Sequence, residues 1–189
     1  MKGGRLPMIF LYADDNRGDQ LLVQEALWEA GVVCDLRFVS DGEELLDYLY
    51  QLGKYTRDSA PRPDIILLDL NMPRKSGIEA LLDIKSNPFF WGIPIIVLSS
   101  SRADVDVVRA YEAGATAYTH KPTTFPRLVR MMEALGRWWE TVQLPQVATD
   151  CFARNQFVPT DEDVERSSLL RRMRGDSPTP ETVHRRAVQ

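Results

Sequence analysis

Cysteine and histidine are scarce in this chain, two of each among 189 residues. That rules out a disulfide framework, and it leaves too few thiolates and imidazoles to build a zinc site. Acidic residues outnumber basic ones by 27 to 23, and a net charge of -4 excludes the basic coat by which proteins grip nucleic-acid phosphates. No apolar run approaches the ~20 residues that a membrane-crossing helix needs. The first such run, residues 8–13, stops at Asp14 and is too short for the core of a secretory signal. These absences point to a cytoplasmic protein with reduced Cys34 and Cys151, bound to neither membrane nor nucleic acid.

What is present is enough apolar content, 44%, for one full core, arranged as a strict alternation of short β-rich runs and amphipathic stretches. Strand patterns cover 8–13, 32–39, 64–68, 93–98 and 116–119. Helix patterns follow each: 19–30, with Asp19 as N-cap and Gly31 as stop, then 42–52, 77–85, 105–112 and 125–142. The Ile-Ile-Leu-Leu run before Asp69 has the continuous apolar character of a strand covered on both faces. Five such βα units predict an α/β fold, a doubly wound five-stranded parallel sheet with helices on both faces. The polar stretch 53–63 reads as a surface loop. The globular domain spans 8–144. Residues 145–189 are polar and proline-interrupted, with one weak helical pattern at 160–173 and a basic run at 171–174. They are too few for a winged-helix output domain and form a C-terminal extension, partly disordered or an arm that depends on a partner.

Parallel strands send all their carboxyl ends to one edge, where α/β sheets bind ligands. The residues brought there are Asp14 and Asp15, Asp69, Ser99 and Lys121. Three carboxylates in one place repel unless a cation sits among them, and an all-oxygen ligand set favours Mg²⁺. Asp69, alone on the central strand, is the candidate nucleophile for a phosphoryl group. Ser99 would donate to one phosphoryl oxygen, and Lys121 would neutralise another.

With those residues assembled, the chain resembles the receiver domain of bacterial two-component response regulators. The resemblance is carried by Asp14-Asp15, by Leu-Leu-Asp69-Leu-Asn-Met-Pro73 with Gly77, by Ser99, and by Tyr118-Thr-His-Lys121-Pro122. It implies a flavodoxin-like receiver fold of strand order 2-1-3-4-5, and a metal held by Asp15, Asp69 and the backbone carbonyl of Asn71, with Asp14 acting through water. It further implies a cis Lys121–Pro122 bond, a switch made of Ser99 and Tyr118, and a sensor histidine kinase as phosphodonor. The turn at 16–19, the segment 73–75, the long loop before Pro63 and the ending 138–145 resemble single-domain regulators paired with bacterial phytochromes. Two departures stand out: Ser99 in place of the commoner threonine, and His120 where a small or apolar residue is usual.

On the last helix Phe125, Leu128, Met132, Leu135 and Trp139 form one apolar stripe. Met131 and Trp138 form a second that the same core is not expected to bury. With Tyr111 and Tyr118 they predict a homodimer interface through helix 4, strand 5 and helix 5. The function so read is a stand-alone response regulator, a signalling protein rather than an enzyme, whose phosphorylation switches that face. Two other readings stay open at this point: a pseudo-receiver acting only as an interaction module, and an aspartate-nucleophile phosphatase.

Overall fold

The computed structural model describes residues 7–142; the 160–173 helical pattern and the 171–174 basic run lie outside the described residues. Ten elements alternate without exception. They are β1 (Met8–Ala13), α1 (Arg17–Glu29), β2 (Cys34–Val39), α2 (Gly42–Tyr50), β3 (Ile65–Leu68), α3 (Gly77–Ser86), β4 (Ile95–Ser99), α4 (Asp104–Glu112), β5 (Ala117–His120) and α5 (Phe125–Thr141). All pairings are parallel and the order is β2-β1-β3-β4-β5, as the resemblance implies. No helix among the described residues is long and apolar enough to cross a membrane.

The period-2 geometry of strands divides the core in two. From β3, Ile66 and Leu68 join Leu45, Leu81 and Ile84 on one face, whereas Ile65 and Leu67 join Val23, Leu27, Leu128 and Met132 on the other. Every residue of β1 and β3 is buried, so the central strands are fixed by apolar contacts worth roughly 1.5–3 kcal/mol per large side chain.

Local chemistry sets the helix starts. Asp41 caps α2 by accepting from the Glu43 and Glu44 N–H groups, each at 2.9 Å. Ser76 and Glu79 form a reciprocal capping box on α3. Helix α1 starts earlier than the sequence pattern suggests: Asn16, not Asp19, is its cap, accepting from Gly18 and Asp19 N–H at 2.8 and 3.3 Å. Asp19 is thereby left in the first turn with its carboxylate uncommitted to capping. Pro94 cannot donate to a ladder, and β4 begins at Ile95 rather than at 93.

Two further expectations are corrected. The described chain holds no cis peptide bond, so Lys121–Pro122 is trans, the form an X–Pro amide favours by about 0.5–1 kcal/mol. The second stripe of α5 is not left bare either. Met131 and Trp138 are partly buried against the core shared by β1, β3 and α1, and the Thr119 hydroxyl reaches Met131 Sδ at 3.9 Å. The physical reason is that α5 packs against α1 as well as the sheet, which covers a wider arc of its surface than one stripe. Phe125, placed in the core stripe by periodicity, is instead 38% exposed, and Tyr111 on α4 is 50% exposed.

Candidate functional site

The register of the central strands builds the site. The Asp69 N–H donates to Ala13 O at 2.9 Å and the Asp14 N–H to Val39 O at 3.0 Å, which sets the two acids side by side where β3 and β1 end. Carboxylate oxygens of Asp14, Asp15 and Asp69 all lie within 4.8 Å of one another. Asp14 and Asp69 are buried and Asp15 is exposed. On the far side, Lys121 N donates to Ser99 O at 2.9 Å, so the hydroxyl and the ammonium come from adjacent strand ends.

Asp14 is held from several directions. Its Oδ2 accepts from the Tyr12 hydroxyl and from Lys121 Nζ, the latter at 2.7 Å, and its Oδ1 accepts from Asn16 N at 2.8 Å. Buried Gln20 donates to its carbonyl at 2.7 Å. Lys121 Nζ also donates to Asp19 Oδ2 at 2.7 Å and stands 3.6 Å from Asp69 Oδ2. Asp69 Oδ1 is buried and accepts no hydrogen bond. A buried acceptor without a donor costs about 1–3 kcal/mol, so this oxygen is built to meet something.

The electrostatics follow from that packing. Burial pushes the Asp69 carboxyl upward, Lys121 pulls it down, the charge of Asp14 raises it again, and nearby Leu70 and Asn71 N–H groups lower it; the net shift is upward. Burial opposes the charge of Lys121, but hydrogen bonds to Asp14 and Asp19 and the field of Asp69 more than offset it and hold the ammonium firmly protonated. Burial, then the hydrogen bond to Asp14, pushes the Tyr12 hydroxyl up, so it remains a neutral donor.

The loop after Asp69 is pinned at both ends. Gly77 N donates to Leu70 O at 2.9 Å, and Gly42 N donates to Lys75 O at 3.2 Å. Arg74 adopts a positive φ of 60° and pairs with the buried carboxylate of Asp41. Lys75 is buried and pairs with Asp83. Asn71 is exposed on this loop, directly after the strand end.

Ser99 is fully buried, and its Oγ accepts from Ser101 N at 3.2 Å rather than capping α4, whose N-cap Ala103 has no side-chain bond. Half-buried Tyr118 donates its hydroxyl to Ser101 O at 3.0 Å. His120 Nδ1 meets the same carbonyl at 2.9 Å, and because a carbonyl only accepts, Nδ1 carries the proton. His120 thus has a structural account: with Tyr118 it anchors the loop that follows Ser99.

The sequence-derived set Asp14, Asp15, Asp69, Ser99 and Lys121 therefore stands at one sheet edge. Tyr12 and Asp19 belong to the site and were missed. Tyr12 lies two residues before Asp14 and so on the same strand face, a signal that strand periodicity contains. The donors assembled are hard oxygens with one orphan among them, a composition that fits a divalent cation.

Comparison with known proteins agrees with this geometry. The response regulator receiver domain family matches residues 10–133. The chain belongs to that family. Among related receivers, response regulator Rcp1 of Synechocystis sp. is 38% identical over 140 residues, covering 74% of this chain and 94% of Rcp1. The Mn²⁺-bound form of Rcp1 aligns with a TM-score of 0.66, over 74% of this receiver and 99% of that chain. The phosphorylated cyanobacterial phytochrome response regulator RcpA is 36% identical with a TM-score of 0.67, covering 74% and 99% of the two chains. RPA3017, a response regulator in red light signaling of R. palustris, is 36% identical with a TM-score of 0.69, covering 73% and 98%.

Proposed function

We propose that this receiver is a stand-alone phosphorelay protein, comprising domain 8–144 with an appended arm at 145–189, in which Asp69 accepts a phosphoryl group from the phosphohistidine of a sensor histidine kinase. The observation that carries the reading is the buried, unpartnered Oδ1 of Asp69, on a carboxylate whose Oδ2 stands 3.6 Å from Lys121 Nζ and which lies beside those of Asp14 and Asp15. An oxygen with no donor of its own keeps its lone pairs free to attack phosphorus. The P–N bond of the phosphohistidine breaks as the Asp69 O–P bond forms, and the imidazole leaves. Lys121 neutralises one phosphoryl oxygen and the Ser99 hydroxyl donates to another. Asp15, Asp69 and the Asn71 carbonyl, with Asp14 beside them, would hold Mg²⁺, which would supply the positive charge that three carboxylates and a phosphoryl group require.

The switch is Ser99 with Tyr118. Engagement of the Ser99 hydroxyl by the phosphoryl group draws on the loop whose Ser101 carbonyl holds both the Tyr118 hydroxyl and His120. The output is a changed face at α4, β5 and α5. Tyr111 and Tyr118 are its apolar contacts and Met131 and Trp138 its partly covered base, and through this face the chain forms a homodimer. Similarity to the phytochrome response regulator RcpA and to RPA3017 of red light signaling supports a bacterial phytochrome as the kinase, and the compartment in this reading is the cytoplasm. The protein acts as a signalling protein and not as an enzyme of steady turnover.

Phosphotransfer from a purified, autophosphorylated red-light-sensing histidine kinase tests this. Label is expected to pass to the wild-type chain in Mg²⁺ and not to Asp69→Asn. Label that stays on the kinase would oppose the phytochrome pairing, and steady release of phosphate from a phosphomonoester would replace the receiver reading with a phosphatase.

A further inference from the structure

Lys121 is the cation that a phosphoryl group on Asp69 needs, yet Asp69 is not its nearest partner. Its Nζ lies 2.7 Å from Asp14 Oδ2, 2.7 Å from Asp19 Oδ2 and 3.6 Å from Asp69 Oδ2. We infer that Asp19 is a positioning residue that parks Lys121 away from Asp69 and so sets how readily Asp69 is phosphorylated. The inference rests on the phosphoacceptor reading of Asp69.

An ammonium has three N–H donors, and here two are committed to Asp14 and Asp19. The two partners differ in kind. Asp14 is immobile: it is fully buried, and Tyr12, Asn16 and the lysine itself hold its carboxylate. The Asp19 carboxylate is 31% exposed and hangs from the first turn of α1, whose N-cap bonds are made by Asn16. Helix capping therefore gives no reason for its contact with Lys121. Transfer breaks the donor's bond to phosphorus, forms the bond from an Asp69 oxygen and places negative oxygens beside Lys121. To reach them the ammonium must give up a partner, and the exposed one is the easier to leave because water replaces it. Asp19 stabilises the resting site more than the phosphorylated one. Its loss shifts the balance toward phosphorylation.

The test uses the full chain as wild type, Asp19→Asn and Asp19→Glu, with acetyl phosphate and Mg²⁺. The phosphorylated fraction is read against donor concentration, the oxygen–phosphorus bond of acetyl phosphate breaking and acetate leaving as the Asp69 acyl phosphate forms. Asp19→Asn is expected to lower the half-saturating donor concentration several-fold, and Asp19→Glu to return it toward wild type. A second readout needs no phosphorylation: mass-spectrometric mapping of Lys121 acetylation by acetic anhydride, expected to rise several-fold in Asp19→Asn as the ammonium loses a partner. A merely structural role in α1 would lower thermal stability and move neither quantity. An unchanged donor requirement together with unchanged Lys121 labelling overturns the inference. If the wild-type chain takes no phosphoryl group at all, the functional reading fails, and labelling alone then decides: a rise sustains the parking of Lys121 and no rise overturns it.

Discussion

Gly77 runs against the carbonyl of Asp69 so closely that a Cβ at this position would stand 2.1 Å from the Asp69 oxygen and 2.8 Å from Leu70 Cα. Both obstacles are backbone, which cannot turn aside as a flexible side chain would. Helix α3 therefore enters directly beneath the acid, and the glycine is what allows it. Gly77→Ala should destabilise the fold by at least the ~1–3 kcal/mol of an overpacked core and displace Asp69 as it does so. Urea unfolding gives the stability change; an unaltered midpoint would mean that the loop has slack the distances deny.

Tyr12 supplies a neutral donor to a fully buried carboxylate. Tyr12→Phe keeps the ring in the core and removes only the bond to Asp14 Oδ2, leaving Lys121 as that oxygen's sole donor. Hydrogen bonds to charged groups are worth about 1.5–3 kcal/mol, and a loss of that size is expected in chemical denaturation. A change below a few tenths of a kcal/mol would show that the hydroxyl bond contributes nothing net.

Stability should couple to pH and metal through Asp69. Its folded carboxyl is raised above the unfolded value of 3.8, chiefly by burial, so between those two values the folded state holds a proton that the unfolded state has lost. Stability from this group is thus lost as pH rises through the window, and the apo protein carries the cost at neutral pH. A divalent cation competes with that proton. Added Mg²⁺ or Mn²⁺ should raise the melting temperature at neutral pH, and the gain should fade as pH falls toward the ordinary carboxylate range. A gain independent of pH, or one retained in Asp69→Asn, would place the cation elsewhere.

The proposed dimer face leans on Tyr111, half exposed, whose hydroxyl also receives the Tyr118 N–H at 3.2 Å. Phosphorylated chain should sediment as a dimer, and Tyr111→Ala should weaken that dimer by the ~2 kcal/mol or more typical of an aromatic hot spot. A monomer in both phosphorylation states would remove the interface.

Much of this architecture was legible in the sequence, because parallel strands with continuous apolar runs can hold a charge only at their ends. Asp14, Asp15, Asp69 and Lys121 each follow a strand and Ser99 ends one, and placing them needed only the alternation of elements. The strand order was carried by resemblance to a family, since no periodicity states which strands are neighbours. Partnerships across elements were not legible. Asp19 looks like a cap until Asn16 is seen capping, and its partner Lys121 lies about a hundred residues away. The burial of Met131 and Trp138 depended on how far α1 and α5 overlap, a tertiary quantity that the helical period of α5 does not contain. The trans Lys121–Pro122 bond was not legible because the cis expectation comes from the family resemblance and not from neighbouring residues.

The central claim is that Asp69 takes the phosphoryl group, and intact-mass and peptide mapping after treatment with acetyl phosphate and Mg²⁺ tests it most directly. The account predicts one added phosphoryl group, lost under mild alkali as an acyl phosphate is, mapping to the peptide that contains Asp69 and absent from Asp69→Asn. A phosphoryl group carried by Asp69→Asn to the same extent, or none on the wild-type chain, would contradict it.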